Sequence, residues 1–219
     1  GDVLGYPNGA ETTVQFPVGT KARIVLSAAM SVGTLDLSQS GADVTFARAD
    51  GQAAEEAKPK LTVNQLKISG VRLALDGVEL YCSNDVELSA SDSEVRLTNG
   101  AAWDLSSKTL NNDNGGRLWL GEDTSLSCSD YWFGRGLTEI NDATFEVRAS
   151  ARLGTFKDGG TIRFVGTQPA FRFTSRDAYV YSNLENANVR LEFAVPVGGY
   201  ETPPFFNAYN GKPGKILGY

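Results

Sequence analysis

The chain contains no histidine, which removes the usual general base, the commonest metal ligand and the usual pH switch together. Two cysteines, Cys82 and Cys128, are too few for a zinc site. No uninterrupted apolar run reaches the roughly 18 residues that cross a bilayer, so no transmembrane segment is expected. Neither a Gly-x-x-x-x-Gly-Lys-Ser/Thr loop nor a Gly-x-Gly-x-x-Gly helix opening occurs, and nucleotide chemistry has no support. Twenty basic residues against 26 acidic ones leave a net charge of -6, a field that repels phosphate backbones, so no nucleic-acid partner is expected. Helix signals are scarce as well. Only "GQAAEEAKPK", Gly51 to Lys60, has helical composition, and Pro59 closes it, so it reads as an exposed loop or short helix. The opening Gly1-Asp2-Val3 has no initiator Met and no charged-then-apolar leader, and reads as the start of a mature or excised segment. No metal and no cofactor is expected from this inventory.

What is present is alternation. Runs such as "VRLAL", "EVRLT", "RLWLG", "FEVRA", "IRFVG" and "VRLEF" recur with Gly, Asn, Asp and Ser between them, the pattern of short half-buried strands. A hydrophobic fraction of 41% over 219 residues is enough for one sizeable core or a short array of repeats.

Self-similarity decides between these. One apolar anchor per run gives Leu75, Leu97, Leu120, Val147, Phe164 and Leu191, at steps of 22, 23, 27, 17 and 27 residues. A second track follows 6 to 9 residues after each of the first five, as Cys82, Leu105, Cys128, Leu153 and Phe173. A third falls 13 beyond the first three anchors, as Leu88, Leu110 and Phe133. The spacing predicts three short strands per unit of roughly 23 residues, each unit burying its inner face only by stacking on its neighbours.

On this rung pattern the stretch from Leu61 to Pro196 resembles the right-handed parallel β-helix proteins, the group that contains pectate-lyase-like enzymes and bacterial autotransporter passenger domains. The resemblance implies an all-β solenoid for residues 61–196. Residues 1–60, with "TTVQFPV", "ARIVL", "TLDLS" and "DVTFA", read as N-terminal strands forming early rungs or a cap, although their phase does not continue the later tracks. Residues 197–219, rich in Pro, Gly and aromatics, read as an irregular tail or cap. The alternative is an antiparallel sandwich or jelly roll, because Asp76-Gly77, Asn99-Gly100 and Asp158-Gly159 would also serve as hairpin turns.

The three-track register makes definite statements about "SLSCSDYWFGRGL", Ser125 to Leu137. Phe133 points inward on Leu110 and Leu88, Tyr131 shares its side, and Trp132 points out. Cys82 and Cys128 fall two rungs apart with Leu105 between them, about 9.5 Å from each other at 4.7 to 4.9 Å per rung. A disulfide needs α-carbons within about 7 Å, so two buried free thiols are predicted.

Candidates for chemistry are few. Asp85, Asp92 and Glu94 lie close in "NDVELSASDSE" and supply carboxylates for an acid and base pair, although such residues are more often solvated turn residues. "NNDNGG", Asn111 to Gly116, has calcium-loop composition without the ordered carboxylate spacing, and reads as a Gly-rich turn. The outer side of the sheet formed by the anchor strands is expected to display Arg72, Arg96, Arg117, Trp119, Arg163 and Arg190, with Trp132 as a further exposed aromatic. Guanidinium forks over a Trp ring suit an anionic glycan. The plainer reading is cross-strand neutralisation by Glu94, Glu146 and Glu192 on the same face.

The expected function is therefore a non-enzymatic scaffold or adhesin-like surface. Its extracellular or cell-surface location and its partners, extracellular glycans or host and cell-surface proteins, are implied by the β-helix resemblance. A polysaccharide lyase, glycoside hydrolase or glycan-binding module is the alternative.

Overall fold

The computed structural model describes residues 9–39, 41–51, 57–105, 107–153, 160–173, 179–181 and 190–194. All secondary structure among them is β, and the strands fall into two long sheets that face each other across the core. The first holds β1 (Gly9–Gln15), β3 (Met30–Leu37), β5 (Lys60–Ile68), β7 (Glu79–Cys82), β8 (Val86–Glu87), β10 (Ala102–Asp104), β11 (Thr109–Asn111), β13 (Ser125–Phe133), β15 (Thr144–Leu153), β17 (Ala170–Phe173) and β18 (Tyr179–Tyr181). The second stacks β2 (Lys21–Leu26), β4 (Asp43–Arg48), β6 (Arg72–Asp76), β9 (Glu94–Thr98), β12 (Arg117–Leu120), β14 (Leu137–Asn141), β16 (Thr161–Val165) and β19 (Arg190–Ala194). Every pairing between these strands is parallel. The fold is a parallel β-solenoid, and the antiparallel alternative is excluded.

In the second sheet Lys21, Asp43, Arg72, Glu94, Arg117, Leu137, Thr161 and Arg190 occupy equivalent places, so successive coils take 22, 29, 22, 23, 20, 24 and 29 residues. The first four strands stack in these same two sheets, so the phase break read near residue 50 is one 29-residue coil and not a change of architecture. That coil contains the Gly51 to Lys60 segment; Ala57 to Pro59 carry no strand, and residues 52–56 lie outside the described set, as do Asp158-Gly159 and residues 195–219.

Each coil has three tracks, as the spacing predicts, but the second and third belong to one sheet. They are separate as β7 and β8, or β10 and β11, and run together in β5, β13 and β15; between Cys128 and Asp130 the register of β13 against β15 shifts by one, with the extra residue on β15. Asp76-Gly77 and Asn99-Gly100, which would also serve as hairpin turns, are corners between sheets. Asn99, Asp123 and Asp142 adopt φ of 52°, 59° and 46° at this corner, which short polar side chains tolerate, and Gly77 takes φ of 66°. Their backbones hydrogen-bond along the axis, with Gly77 N–H donating to Thr98 O at 3.0 Å and Asp142 N–H to Val165 O at 3.1 Å.

The core is a set of side-chain columns. Phe46, Leu75, Leu97, Leu120, Ile140 and Phe164 form one, and Leu61, Leu80, Trp103, Leu126, Phe145 and Phe171 face it from the other sheet, all buried. Two expected anchors are displaced. Val147 stacks under Cys128 in the first sheet, and the true anchor of its coil is Ile140; Leu191 pairs with Ile162, and Phe193 takes the anchor place. Ile140 escapes notice because its strand, "LTEIN", puts Thr138 at the other inward position.

Leu153 likewise belongs to the third track, opposite Phe133. Leu110 stacks on Val86 and Tyr131, whereas Phe133 continues the column of Leu88 and Asn112. The fixed offset of 13 crosses columns because the path from second to third track takes four residues from Cys82 to Val86, five from Leu105 to Leu110 and three from Cys128 to Tyr131. Phe133 and Tyr131 are nonetheless fully buried, and Trp132 is half-buried on the outer side.

The cysteine column is as predicted. Cys82 and Cys128 are buried free thiols one coil either side of Leu105. Burial pushes the Cys82 thiol up from 9.0 to about 12, against a hydrogen bond from Trp103 Nε1 at 3.4 Å, and raises Cys128 too. A raised folded-state pKa gives stability that is complete below the unfolded value and lost as pH climbs through the folded one. Urea midpoints are therefore expected to fall between pH 9.0 and about 12, and to fall less steeply in a Cys82→Ala variant. A thiol reagent should find both cysteines in unfolded, unreduced protein and neither in the native state at neutral pH; a denatured sample with no free thiol would break the register.

Candidate functional site

The outer face of the second sheet carries two polar columns. One runs Lys21, Asp43, Arg72, Glu94, Arg117, Leu137, Thr161 and Arg190. The other runs Arg23, Thr45, Ala74, Arg96, Trp119, Glu139, Arg163 and Glu192. The fold thus brings Arg72, Arg96, Arg117, Trp119, Arg163 and Arg190 onto one sheet, Arg190 by its backbone pairing alone. Trp132 stands on the other sheet, between Asn111 and Arg152.

Half of this face is neutralised from within. Arg163 donates from Nε to Glu192 at 2.7 Å and from Nη1 to Glu139 at 3.2 Å, so its guanidinium ties the coils on either side; these bonds, Glu192 first, raise its pKa. Trp119 Nε1 donates to the other oxygen of Glu139 at 2.7 Å, and Arg96 sits 5.8 Å over the Trp119 ring while pairing with the nearly buried Glu94. Glu146 is not among the neutralising acids: it lies on the first sheet, paired with Ser127 and Arg172. Arg72 and Arg117 are exposed, flank Glu94 and pair with no carboxylate among the described residues.

The three carboxylates proposed for acid and base chemistry stand at three stations of the coil. Asp85, exposed between the second and third tracks, accepts the Thr109 backbone N–H at 2.7 Å. Asp92 is exposed on the turn that leads to β9, its carboxylate beside Gly70. Glu94 is held by Arg96 on the second sheet. In the "NNDNGG" turn Asn114 Nδ2 donates to Glu87 at 2.8 Å and the Asp113 N–H to Asn111 Oδ1 at 2.9 Å, bonds that fix a turn. Among the described residues no group of three or more His, Cys, Asp or Glu is placed to hold a metal ion.

Two features lie beyond what the alternation reveals. A polar cluster sits inside the core, where the Tyr131 hydroxyl meets Thr138 Oγ1 at 2.6 Å and Asn112 Nδ2 donates to Gly116 O at 3.0 Å, leaving Asn112 Oδ1 unpartnered. Burial pushes the Tyr131 phenol well above its usual range. The second is a surface groove of about 240 Å³ on the first sheet, floored by Ala102 and walled by Lys60, Glu79, Tyr81, Asp104, Ser125 and Ser127. Ala102 pairs with Glu79 on one side and Ser125 on the other, so the missing side chain opens a gap between longer neighbours. Only the register, which puts Ala102 in line with Lys60, Glu79 and Ser125, could have signalled it.

Comparison of the chain with family models, with curated proteins and with solved structures returned no match. No helix among the described residues is long and apolar enough to cross a membrane.

Proposed function

We propose that the chain is a non-enzymatic, secreted or cell-surface β-solenoid serving as a structural, adhesin-like scaffold. The observation that carries this reading is the axial use of surface charge, with Arg163 clamped between Glu139 and Glu192 of the neighbouring coils. A surface whose ion pairs run along the stacking axis stiffens a rod. Partly shielded pairs of this kind contribute about 1 kcal/mol or less apiece, and act together with the continuous core columns.

The competing reading is a polysaccharide lyase or glycoside hydrolase. Incubation with acidic and neutral polysaccharides separates the two: the scaffold reading expects no new reducing ends and no unsaturated products. Turnover that disappears on replacing Asp85, Asp92 or Glu94 would retire it. Surface location is tested by protease shaving of intact source cells, which should remove the protein while a cytoplasmic marker survives.

A further inference from the structure

We propose that Asn114 is a self-modifying site, where the Asn114-Gly115 pair deamidates through a cyclic imide and cuts an axial tie between neighbouring coils. The inference is independent of the scaffold reading, and either stands if the other fails.

An asparagine followed by glycine is the most labile setting for this reaction, because no side chain on the next residue hinders the approach of its backbone nitrogen to the asparagine amide carbon. Among the described residues two asparagines precede a glycine, Asn99 and Asn114. The sequence treats them alike, and the fold does not.

Asn99 is held. It stands at φ of 52° in a turn closed by the Ala101 N–H on Thr98 O at 3.0 Å, and the Gly100 carbonyl accepts the Lys58 ammonium. Swinging Gly100 N onto the Asn99 amide carbon would break both bonds. The turn from Asn112 to Gly116 is instead pinned at its ends, by the Asp113 N–H on Asn111 Oδ1 at 2.9 Å and by Asn112 Nδ2 on Gly116 O at 3.0 Å. Between those pins no hydrogen bond among the described residues engages the Asn114 carbonyl or the Gly115 N–H. Asn114 is exposed, and its tie among the described residues is from Nδ2 to the exposed Glu87 at 2.8 Å, a surface bond that opens readily.

Water is the sole co-reactant. Gly115 N gives up its proton to solvent base and bonds to Asn114 Cγ, while the Cγ–Nδ2 bond breaks and Nδ2 leaves as ammonia. Water then opens the imide ring at either carbonyl, leaving aspartate or isoaspartate with no change of oxidation state. Aspartate sets a carboxylate opposite Glu87 where a donor stood, so an attraction between β8 and the following coil becomes a repulsion. Isoaspartate loses the same donor and carries the backbone through Cβ, which lengthens the turn.

The test is peptide mapping by mass spectrometry of the folded chain, incubated in warm, mildly alkaline buffer made with heavy-oxygen water so that each deamidated site carries label. The Asn114 peptide should take up label roughly tenfold or more faster than the Asn99 peptide, since two hydrogen bonds must first break at Asn99. In urea the two rates should converge, because both are then plain Asn-Gly pairs. Asn114→Asp should speed hydrogen exchange in β8 and in the turn after β11, and Glu87→Gln in that background should slow it again. An unlabelled Asn114 peptide in the folded chain, equal rates at the two sites, a contrast that survives in urea, or unchanged exchange in Asn114→Asp would overturn the proposal.

Discussion

Gly136→Ala is expected to destabilise the solenoid by about 3 kcal/mol or more, the range reached when positive-φ strain and a backbone clash coincide. Gly136 turns the chain into β14 at φ of 88°, a conformation that strains any L side chain. A Cβ there would stand 2.3 Å from Gly116 O and 2.7 Å from the Gly115 carbonyl, all backbone atoms of the coil before. Its own carbonyl accepts the Thr161 N–H at 2.9 Å from the coil after, so it cannot retreat freely. Gly115→Ala is the control: its φ of 92° is equally strained, but the nearest atom is the Arg135 Cβ at 3.3 Å. It should cost about 1 to 2 kcal/mol. Urea unfolding of the two variants, with hydrogen exchange to locate the loosened coils, distinguishes them. Equal losses would mean that coil-to-coil backbone contact at this corner is not as close as described.

Phe145→Ala should cost about 3 to 5 kcal/mol, the range for emptying an aromatic core site. Phe145 is fully buried, stacks in line with Leu126 and Phe171, and packs edge-on to Tyr131 at 4.8 Å and to Phe171 at 5.1 Å between ring centres. The cavity opens between coils, so each neighbour loses part of the face that it cannot bury alone. Phe145→Leu should recover more than half of the loss because volume is nearly restored. A denaturant midpoint for Phe145→Ala within error of the parent would show that the column is not packed.

The fold was legible because inward residues repeat by type. Leu75, Leu97 and Leu120 sit at nearly constant spacing, and Cys82, Leu105 and Cys128 shadow them. Spacing failed where chain length is spent on corners and not on strands. The passage from second to third track costs a different number of residues in successive coils, and the extra residue in β15 changes it again. Since strands alternate with a period of two, a slip of this size keeps a residue inside while moving it to the next column, as with Phe133. Burial is therefore easier to read than contact.

The candidate surfaces show the same division. Arginines alternate with inward apolar residues in "VRLAL", "EVRLT" and "TIRFV", so their outward direction is legible. Whether each is spent on a carboxylate depends on which residue lies one coil away. Arg163 meets Glu139 and Glu192 because 24 and 29 residues separate those positions, whereas Glu146 is carried to the opposite sheet. The groove over Ala102 is invisible for the same reason: it is an absence of side chain, set by neighbours that the register supplies.

Parallel stacking is tested most directly by paired cysteines on β13 and β15. Ser125 faces Thr144 and Ser127 faces Glu146, both pairs separated by 19 positions. Parallel strands keep that difference constant, whereas antiparallel strands would keep the sum constant. Ser125→Cys with Thr144→Cys, and Ser127→Cys with Glu146→Cys, should each form a disulfide under mild oxidation, identified by peptide mapping. The crossed pairs, Ser125→Cys with Glu146→Cys and Ser127→Cys with Thr144→Cys, should remain reduced. Cross-linking of the crossed pairs in preference to the aligned ones would contradict the solenoid.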